Sequence, residues 1–387
     1  MPIHFEAAEL ADRRRRVCAE IAARGLDGLL VFRQESLYWL TGYDTFGYVY
    51  FQCLWLGIDG RMTLLTRSAD ERQAYFTSVI EDVRVWVDRA GSEPADDLLA
   101  ILDEYDARGG RIGVEWDAYG LTAALGFRLK ANLDGYAQHQ DASDLVSRFR
   151  LVKSAAELVY VREAAKLADA AYDEAVKLTR PGAFEGDILA AMQGAVWRGG
   201  GDDPANEFII GSGPGALMCR YFTGRRHLSA EDQLTLEFAG TYRHYHACLM
   251  RTLLVGRASP EHLAMHRAAV DALEAAKAAL KPGRPLGDVF DAYARVADAA
   301  GLRHARLNAT GYSLGTTFAP NWMDTPGLSM FFHGNPTLAV PGMVFFIHII
   351  LYDSDRGLAM TSGQTVLVTD TGCEALTRAP TDLVIAS

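Results

Sequence analysis

One histidine interrupts an otherwise apolar stretch of the chain. Residues 343–352 read MVFFIHIILY, and His348 lies in the middle of them. Burying an unpaired imidazole among apolar side chains costs free energy, whereas a well-placed imidazole can transfer protons near neutral pH. His348 is therefore either a core histidine satisfied by one neighbour or a site residue held on a rigid strand.

Two further histidines, His244 and His246, stand two positions apart in YRHYHAC. On a strand they would share one face, where such a pair can bind a metal ion. We favour the structural alternative, in which one of them is exposed.

The five cysteines are odd in number, scattered and without a CxxC spacing. This pattern indicates neither a disulfide framework nor a zinc knuckle, and it favours a reducing compartment.

Composition limits the possible classes of protein. The chain has 387 residues, 49% of them hydrophobic, and a net charge of −11. Its length predicts two domains, and its hydrophobic fraction predicts a large core. The charge argues against nucleic acid or a membrane surface as a partner, because both require a basic patch. The four arginines at 13–16 are therefore interpreted as the solvated face of a helix over 8–24. We find no signal-peptide pattern and no apolar run of about 18 residues, so we expect a cytoplasmic protein.

The elements that must position these residues fall into two groups. Alternating helical and strand patterns predict a compact α/β domain over residues 1–150. It includes a hairpin of 48–58 and 61–66 joined by Asp-Gly. Ser154 followed by Glu157 is a capping box in front of a long helical pattern, and it marks the start of the second domain.

The second domain, expected over residues 154–387, contains an internal repeat. The motif PGxxxGD occurs at 181–187 and again at 282–288. Each copy lies between two helical patterns and precedes a glycine-rich turn and strands. Two equivalent halves predict a pseudo-two-fold domain with a site between them.

The second domain resembles the pita-bread superfamily of creatinase, Xaa-Pro dipeptidase and methionine aminopeptidase. The segments that carry the resemblance are 212–240, 242–256, 310–315, 341–352 and 362–377. The resemblance covers nearly the whole chain, and the ending VLVTDTGCEALT together with an N-terminal α/β domain is typical of the creatinase and prolidase branch. It implies an α+β C-terminal domain with pseudo-two-fold αββ repeats around an antiparallel sheet.

The chain departs from this family at the metal ligands. Family metallopeptidases hold two metal ions with two aspartates, one histidine and two glutamates. The matching positions here are Glu237, Cys248, Tyr312, His348 and Gly363. Two divalent ions need several anionic oxygen ligands, and this set contains one carboxylate. We therefore predict no metal and no other cofactor; a single zinc ion held by Glu237, Cys248 and His348 is the alternative.

Creatinase and ectoine hydrolase are metal-free relatives that open amidine C–N bonds, and the resemblance implies similar chemistry here. Such hydrolysis needs a base for water, an acid for the leaving nitrogen and a group that stabilises developing charge. We assign proton transfer near neutral pH to His348. Glu237 is assigned as base or nucleophile, and Tyr312 as hydrogen-bond donor to an oxyanion.

The predicted substrate contacts follow from the same alignment. Arg220, at the position of a further family histidine, is expected to bind a substrate carboxylate with its planar guanidinium. Gln364 would orient a polar group, and Trp322 would stack on a flat or cationic substrate. His246 and Cys248 are also assigned to substrate binding.

Three of these assignments have structural alternatives. Arg220 can instead form a surface salt bridge, Tyr312 can be a core packing residue, and Glu237 can form an ion pair with Arg251. The sequence does not choose between them.

The family resemblance also implies a homodimer, because the N-terminal domain of one subunit covers the partner's site in this family. The aromatic residues Tyr43, Phe46 and Tyr48 would then line the partner's pocket, with Phe46 as a substrate contact. A plain strand and its turn is the alternative.

Together these residues predict a metal-independent hydrolase of a C–N bond in a small nitrogen-rich metabolite. An amidine, a guanidino acid or an N-acyl amino acid would fit. The alternatives are an Xaa-Pro metallopeptidase, a lyase and a non-catalytic ligand-binding protein.

Overall fold

The computed structural model describes residues 3–220 and 225–387, so residues 221–224 of the segment 212–240 lie outside the described residues. The chain divides into two compact units, Met1–Arg150 and Leu151–Ser387. A search of the described helices finds none with the length and apolar character that a membrane span requires.

The first unit is an α/β domain with a mixed sheet. Its strands are β1 (Gly28–Val31), β2 (Cys53–Gly57), β3 (Met62–Arg67), β4 (Asp82–Trp86), β5 (Arg111–Val114) and β6 (Gln138–Asp141). Its helices are α1 (Ala7–Ala23), α2 (Gln34–Thr41), α3 (Glu71–Thr77), α4 (Pro94–Glu104), α5 (Ala123–Leu133) and α6 (Leu145–Arg150). The strand order is β4-β3-β2-β1-β5-β6. β1 is buried along its whole length, as its continuous GLLV run indicates.

The predicted solvated arginine face of α1 is wrong at one position. Arg13 is fully buried, and its guanidinium lies 4.0 Å from the ring centre of Phe5 and 4.9 Å from that of Trp39. Its Nη1 donates to the carbonyl of Trp39. The cation is therefore held by aromatic faces, by a backbone acceptor and by the Glu9 carboxylate, whose Oε1 lies 3.0 Å from Nη2 of Arg13. Arg15 and Arg16 are exposed.

The predicted hairpin starts later than expected. Residues Gly47–Val49 form a short 3₁₀ turn, and β2 begins only at Cys53. A Cβ atom on Gly47 would lie 2.4 Å from Oδ1 of Asp70. The chain therefore turns tightly against the Asp70 carboxylate, and a larger residue at this position would require the Asp70 side chain to move.

The second unit is built on an eight-stranded sheet. Its strands are β7 (Ile209–Ser212), β8 (Asp232–Tyr242), β9 (Tyr245–Val255), β10 (Gly311–Ser313), β11 (Val344–Asp353), β12 (Leu358–Val368), β13 (Cys373–Ala375) and β14 (Ile385–Ala386). Its helices are α7 (Ala155–Leu178), α8 (Glu185–Arg198), α9 (Pro260–Ala279), α10 (Gly287–Ala299) and α11 (Pro326–Ser329). The main strand order is β10-β11-β12-β9-β8-β7, with β13 on β12 and β14 on β9. The predicted capping box of Ser154 and Glu157 opens α7.

The two halves of this sheet are equivalent, as the sequence repeat predicts. One half contains α7, α8 and β7–β9, and the other contains α9, α10 and β10–β12. Gly182 and Gly283 of the two PGxxxGD motifs both have positive φ angles, 78° and 73°. Their amides donate to the carbonyls of Leu228 and Ala339 respectively. The predicted pita-bread fold with αββ repeats is confirmed.

The helices cover one face of this sheet. Successive side chains on a strand point to opposite faces, so one parity of residues packs against the helices. The helix-facing side chains include Leu234, Leu236 and Phe238 on β8 and Phe345, Ile347, Ile349 and Leu351 on β11. The opposite face, which carries Glu237 on β8 and His348 on β11, is called the cavity face below.

Candidate functional site

A cavity of about 380 Å³ lies on the cavity face of the second unit. Its lining residues are Asn206, Ile209, Cys219, Arg220, Glu237, Leu307, Asn308, Ala309, Tyr312, Asn321, Trp322, Met323, Met330, His348 and Ile350. The structure therefore brings together five side chains that the sequence predicted for the site. They are Arg220, Glu237, Tyr312, Trp322 and His348.

The register of the sheet explains this convergence. Tyr312 on β10 pairs with Phe346 on β11, so Tyr312 shares a face with Phe346 and, two residues on, with His348. The ring centres of Tyr312 and His348 are 5.5 Å apart. Glu237 reaches the same space from β8, and its Oε1 lies 3.3 Å from Oη of Tyr312.

A hydrogen-bonded chain runs through three of these residues. Nε1 of Trp322 donates to Oη of Tyr312 over 2.8 Å, and the Tyr312 hydroxyl donates to Oε1 of Glu237. The predicted stacking role of Trp322 is thus accompanied by a second role, because its indole N–H already has a partner. Likewise, the proton of Tyr312 points to Glu237 here rather than to an oxyanion.

Glu237 is the cavity group that titrates near neutral pH. The residue is 7% exposed, and its burial raises the pKa of the carboxyl from 4.5 to about 7. The nearby Arg220 cation and the hydrogen bond from Tyr312 act in the opposite direction. Because the carboxyl is poised at this pH, it can both accept and return a proton.

His348 behaves differently from the prediction. It is buried, and desolvation lowers its pKa from 6.5 to about 4, so the imidazole is neutral at pH 7. Its Nδ1 has no hydrogen-bond partner among the described residues. This pKa does not support the predicted proton transfer by His348 near neutral pH, while a neutral His348 offers a hydrogen-bonding ring to a ligand.

Arg220 supplies the positive charge at the cavity. Its side chain is exposed yet lines the same space as Glu237. Its charge favours the ionised form of the Glu237 carboxyl and the neutral form of His348. The position suits the predicted contact with a substrate carboxylate.

The alternative ion pair between Glu237 and Arg251 is wrong. Arg251 stands opposite Leu236 on β8, so both point to the helix face of the sheet. Its guanidinium donates to backbone carbonyls, among them those of Gly363 and Ala379. The side chains of Glu237 and Arg251 therefore lie on opposite faces.

Gln364 is not among the residues that line the cavity. Gly363 is the partner of His348 across the ladder, so Gly363 occupies the cavity face and Gln364 must point the other way. Its Oε1 accepts a hydrogen bond from Nζ of Lys277 on α9 at 3.3 Å. The predicted substrate contact is therefore not supported by the position of Gln364.

Cys248 and His246 point to the cavity face but are sealed from the cavity. Both are 0% exposed. Burial, followed by the neighbouring Glu237, raises the pKa of Cys248 well above its usual value. His246 accepts a hydrogen bond from the amide of Ala205, and its other ring nitrogen lies 3.1 Å from Oγ1 of Thr317. In this arrangement both residues are structural rather than substrate contacts.

The two histidines of YRHYHAC do not share a strand face. His244 lies in the two-residue turn between β8 and β9 with a φ of 63°, and its ring stacks on Phe318 at 4.2 Å. Burial lowers the pKa of His246 to about 3. The geometry gives the pair no shared face for a metal ion, but the expectation that one of them is exposed is wrong, because His244 is half-buried and His246 is fully buried.

The aromatic segment of the first unit is only partly exposed. Phe46 is 77% exposed, whereas Tyr43 is fully buried, and its hydroxyl lies 3.3 Å from Oγ1 of Thr66. Tyr48 is 9% exposed. Of the three aromatics, Phe46 alone presents its side chain to a partner, and its contact with a partner's site stays a prediction.

Sequence reasoning missed three amide side chains that line the cavity: Asn206, Asn308 and Asn321. Asn308 stands three residues before β10, in LNATGY. Asn321 begins the loop that carries Trp322. A polar residue just outside a site-bearing strand was the available signal, because such positions open onto the end of the sheet.

The residues at the family's metal positions do not fit a two-metal centre. Gly363 has no side chain, Cys248 is sealed, and burial raises the pKa of Tyr312 well above its usual value. Glu237 is then the one anionic oxygen ligand in the set, where two divalent ions need several. Among residues 3–220 and 225–387 there is no group of three His, Cys, Asp or Glu side chains arranged for a metal ion. The alternative zinc site finds no support either, since Cys248, although it points to the cavity face, is fully buried and is not among the residues that line the cavity with Glu237 and His348.

Known proteins match the chain along nearly its whole length. The metallopeptidase family M24 profile matches residues 159–370, and the creatinase/prolidase N-terminal domain profile matches residues 13–152. The chain is 28% identical to ectoine hydrolase of Halomonas elongata, over 98% of both chains. It is also 28% identical to the uncharacterized hydrolase/peptidase y4tM of Sinorhizobium fredii, over 99% of both chains.

Solved structures share the fold. Dipeptidase PepE of Mycobacterium ulcerans superposes with a TM-score of 0.83 at 25% identity, over 98% of this chain and 99% of that one. The X-Pro aminopeptidase of Thermotoga maritima gives a TM-score of 0.84 at 20% identity, over 96% and 99%. With the M24 profile matching more than half of its residues, this chain belongs to metallopeptidase family M24, in the creatinase branch of the pita-bread superfamily.

Proposed function

We propose that this protein hydrolyses a C–N bond in a small nitrogen-rich metabolite without a metal ion. The observation that carries the proposal is a buried carboxyl, Glu237, whose pKa is raised to about 7 beside Tyr312 and a neutral His348 in one cavity. A catalytic group is most effective when its pKa lies near the working pH. Membership of a hydrolase family supports the same reaction class.

In the proposed reaction, Glu237 acts first as base and then as acid. Its carboxylate takes a proton from water while the water oxygen forms a bond to the substrate carbon. The C–N bond then breaks, and the leaving nitrogen takes the proton back from the Glu237 carboxyl. One water molecule is consumed, and the enzyme returns to its starting protonation state.

The other cavity residues have binding roles in this proposal. Neutral His348 hydrogen-bonds the substrate through its unpartnered Nδ1. The side-chain amides of Asn206, Asn308 and Asn321 line the same cavity, and an amide N–H there can donate to an oxygen on which charge develops.

Metal independence rests on the donor chemistry of the site. One carboxylate does not balance two divalent cations. The cavity instead offers what proton-transfer hydrolysis needs, namely a poised base and neutral hydrogen-bonding groups.

The charges around the cavity support an amidine or guanidino acid as substrate. Arg220 is suited to a carboxylate, and the ionised form of Glu237 is suited to a nitrogen-centred cation. A volume of about 380 Å³ fits a metabolite-sized ligand. Ectoine hydrolase, a relative at 28% identity, is named for action on a small molecule rather than a peptide.

We further propose that the protein acts as a cytoplasmic homodimer in which Phe46 of one subunit contacts the site of its partner. The exposure of 77% for this phenylalanine supports the proposal. Sedimentation of the wild type and of Phe46→Ser tests it, since the variant should shift toward monomer and lose activity. A monomeric wild type would contradict it.

A substrate screen tests the proposed function. Small amidines, guanidino acids and N-acyl amino acids are first screened by thermal shift, and the compounds that stabilise the protein are then assayed for turnover. Glu237→Gln should abolish turnover, whereas Glu231→Gln, at an exposed carboxyl of the same unit, should retain both turnover and binding.

Metal analysis separates this proposal from a peptidase. Purified protein should contain less than stoichiometric metal and keep its activity in chelator. Two equivalents of a divalent ion, with turnover of Xaa-Pro dipeptides that the chelator abolishes, would replace the proposal with a metallopeptidase.

A further inference from the structure

While Glu237 is ionised, the hydrogen bonds of Trp322, Tyr312 and Glu237 run in one direction. An indole N–H donates and never accepts, so Oη of Tyr312 must accept from Nε1 of Trp322 at 2.8 Å. The single proton of the phenol is then left for Oε1 of Glu237 at 3.3 Å. A carboxylate oxygen that accepts this bond is occupied, and Oε2 of Glu237 remains for exchange with water or substrate.

Resting on the proposed function, we propose that Trp322 is a positioning residue: its indole N–H fixes the direction of the Tyr312–Glu237 hydrogen bond and so determines which oxygen of Glu237 moves the proton. Without the indole donor, the Tyr312 hydroxyl is free to rotate and to accept from a cavity water instead. The Glu237 carboxylate would then lack its hydrogen-bond donor for part of the time, and the population of the protonated carboxyl would increase.

A buried ion pair anchors the loop that carries Trp322. Oδ2 of Asp324 lies 3.3 Å from Nζ of Lys153, and both side chains are at most 1% exposed. The amide of Asp324 donates to the carbonyl of Ser313 on β10 at 3.0 Å. A Cβ atom on Gly315 would lie 2.3 Å from Oδ2 of Asp324, so the glycine leaves room for this anchor. The indole is thereby held by the strand that also carries Tyr312.

Several titratable or charged groups act on Glu237 besides Tyr312. They are Cys248 on β9, Tyr352 on β11, and Cys219 and Arg220 after β7. Burial raises the pKa of each of the two cysteines and of Tyr352 above its usual value, so all three are neutral at pH 7. His348 also lines this cavity and is neutral there. Changes in the titration of Glu237 near neutral pH can therefore be assigned to its own hydrogen bonds.

Infrared difference spectroscopy without substrate provides the test. The band of the protonated carboxyl that is lost in Glu237→Gln belongs to Glu237, and its midpoint should lie near pH 7 in the wild type. Tyr312→Phe should raise this midpoint by about one pH unit, and Trp322→Phe by roughly half a unit, since a hydrogen bond to an ionised group is lost wholly or in part. The acid limb of the kcat/KM profile should move to higher pH by the same amounts.

A double-mutant cycle separates positioning from packing. If Trp322 acts through Tyr312, Trp322→Phe should shift the midpoint in the wild type and leave it unchanged in the Tyr312→Phe background. A shift of equal size in both backgrounds, or no shift in either, would overturn the proposal. Trp197→Phe, at a half-exposed tryptophan of the same unit, is the matched control and should leave the band unchanged.

A second substitution keeps the test decisive if Trp322→Phe does not fold. Benzothienylalanine in place of Trp322 keeps the ring shape and replaces the N–H by sulfur, and it should give the same shift. The titration needs no substrate, so a protein that fails to hydrolyse C–N bonds but shows the shifts would sink the proposed function alone. Turnover without the shifts would sink only the role of Trp322.

Discussion

Replacing Glu237 by glutamine should remove the contribution of this carboxyl to the pH dependence of the free energy of unfolding. Burial raises the pKa of this carboxyl from 4.5 to about 7, so the folded protein binds a proton more tightly than the unfolded chain. Its contribution to the free energy of unfolding is complete below pH 4.5 and is lost as pH rises through 7. A gap of about 2.5 between the two pKa values corresponds to roughly 3.4 kcal/mol, of which about 2.5 kcal/mol falls between pH 5 and pH 8.

His348 hides this effect in the wild type. Its pKa is lowered from 6.5 to about 4, so its contribution is complete above pH 6.5 and is lost as pH falls toward 4. Between pH 8 and pH 5 this loss amounts to about 2 kcal/mol. The two groups therefore act in opposite directions over the same range, and the contribution of Glu237 is visible only by comparison with a variant.

Urea unfolding at pH 5 and pH 8, followed by far-ultraviolet circular dichroism, measures the difference. The stability of the wild type relative to Glu237→Gln should be about 2.5 kcal/mol greater at pH 5 than at pH 8. Glu231→Gln, at an exposed position of the same unit, should leave the relative stability the same at both values. If the Glu237→Gln comparison changes by less than about 0.5 kcal/mol, the raised pKa and the base assigned from it are both refuted.

Two further substitutions test the surroundings of the site. His348→Gln should make the protein about 2 kcal/mol more stable relative to wild type at pH 5 than at pH 8, because the variant cannot take up the proton that opposes folding; equal values at both pH would show that His348 is not held neutral. Lys153→Met should cost about 3 to 5 kcal/mol in urea unfolding at pH 7, because it leaves Asp324 buried without its cation. The control Lys166→Met removes an ammonium that is 65% exposed and should cost less than about 1 kcal/mol; similar losses in both would refute the buried pair as an anchor.

The sequence predicted the second unit well where its signal was local or repeated. The apolar run around His348 became β11, and the two PGxxxGD motifs became equivalent turns because glycine at positive φ is required in both. Arg13 was misjudged for a different reason. Its burial depends on the rings of Phe5 and Trp39, and no local pattern reports that such a pocket will form.

The site was predictable as far as strand parity reaches. Alignment and alternation placed Glu237, Tyr312 and His348 on one face of the sheet. The same alternation places the side chains of Gln364 and Arg251 on the opposite face, so it excludes them from the cavity. The neutral state of His348 could not be predicted from the sequence, since desolvation depends on everything packed around the ring.

On the proposal that no cation binds here, the missing metal and the poised base have one physical cause. A divalent ion beside a buried carboxyl keeps it ionised and lowers its pKa. Without such a charge, desolvation dominates and raises the pKa, as it does for Glu237 despite Arg220 and the bond from Tyr312. Replacing the other ligand positions with Cys248, Tyr312, His348 and a glycine therefore does more than remove a metal centre. It leaves the remaining carboxyl with the proton affinity that general base catalysis at neutral pH requires.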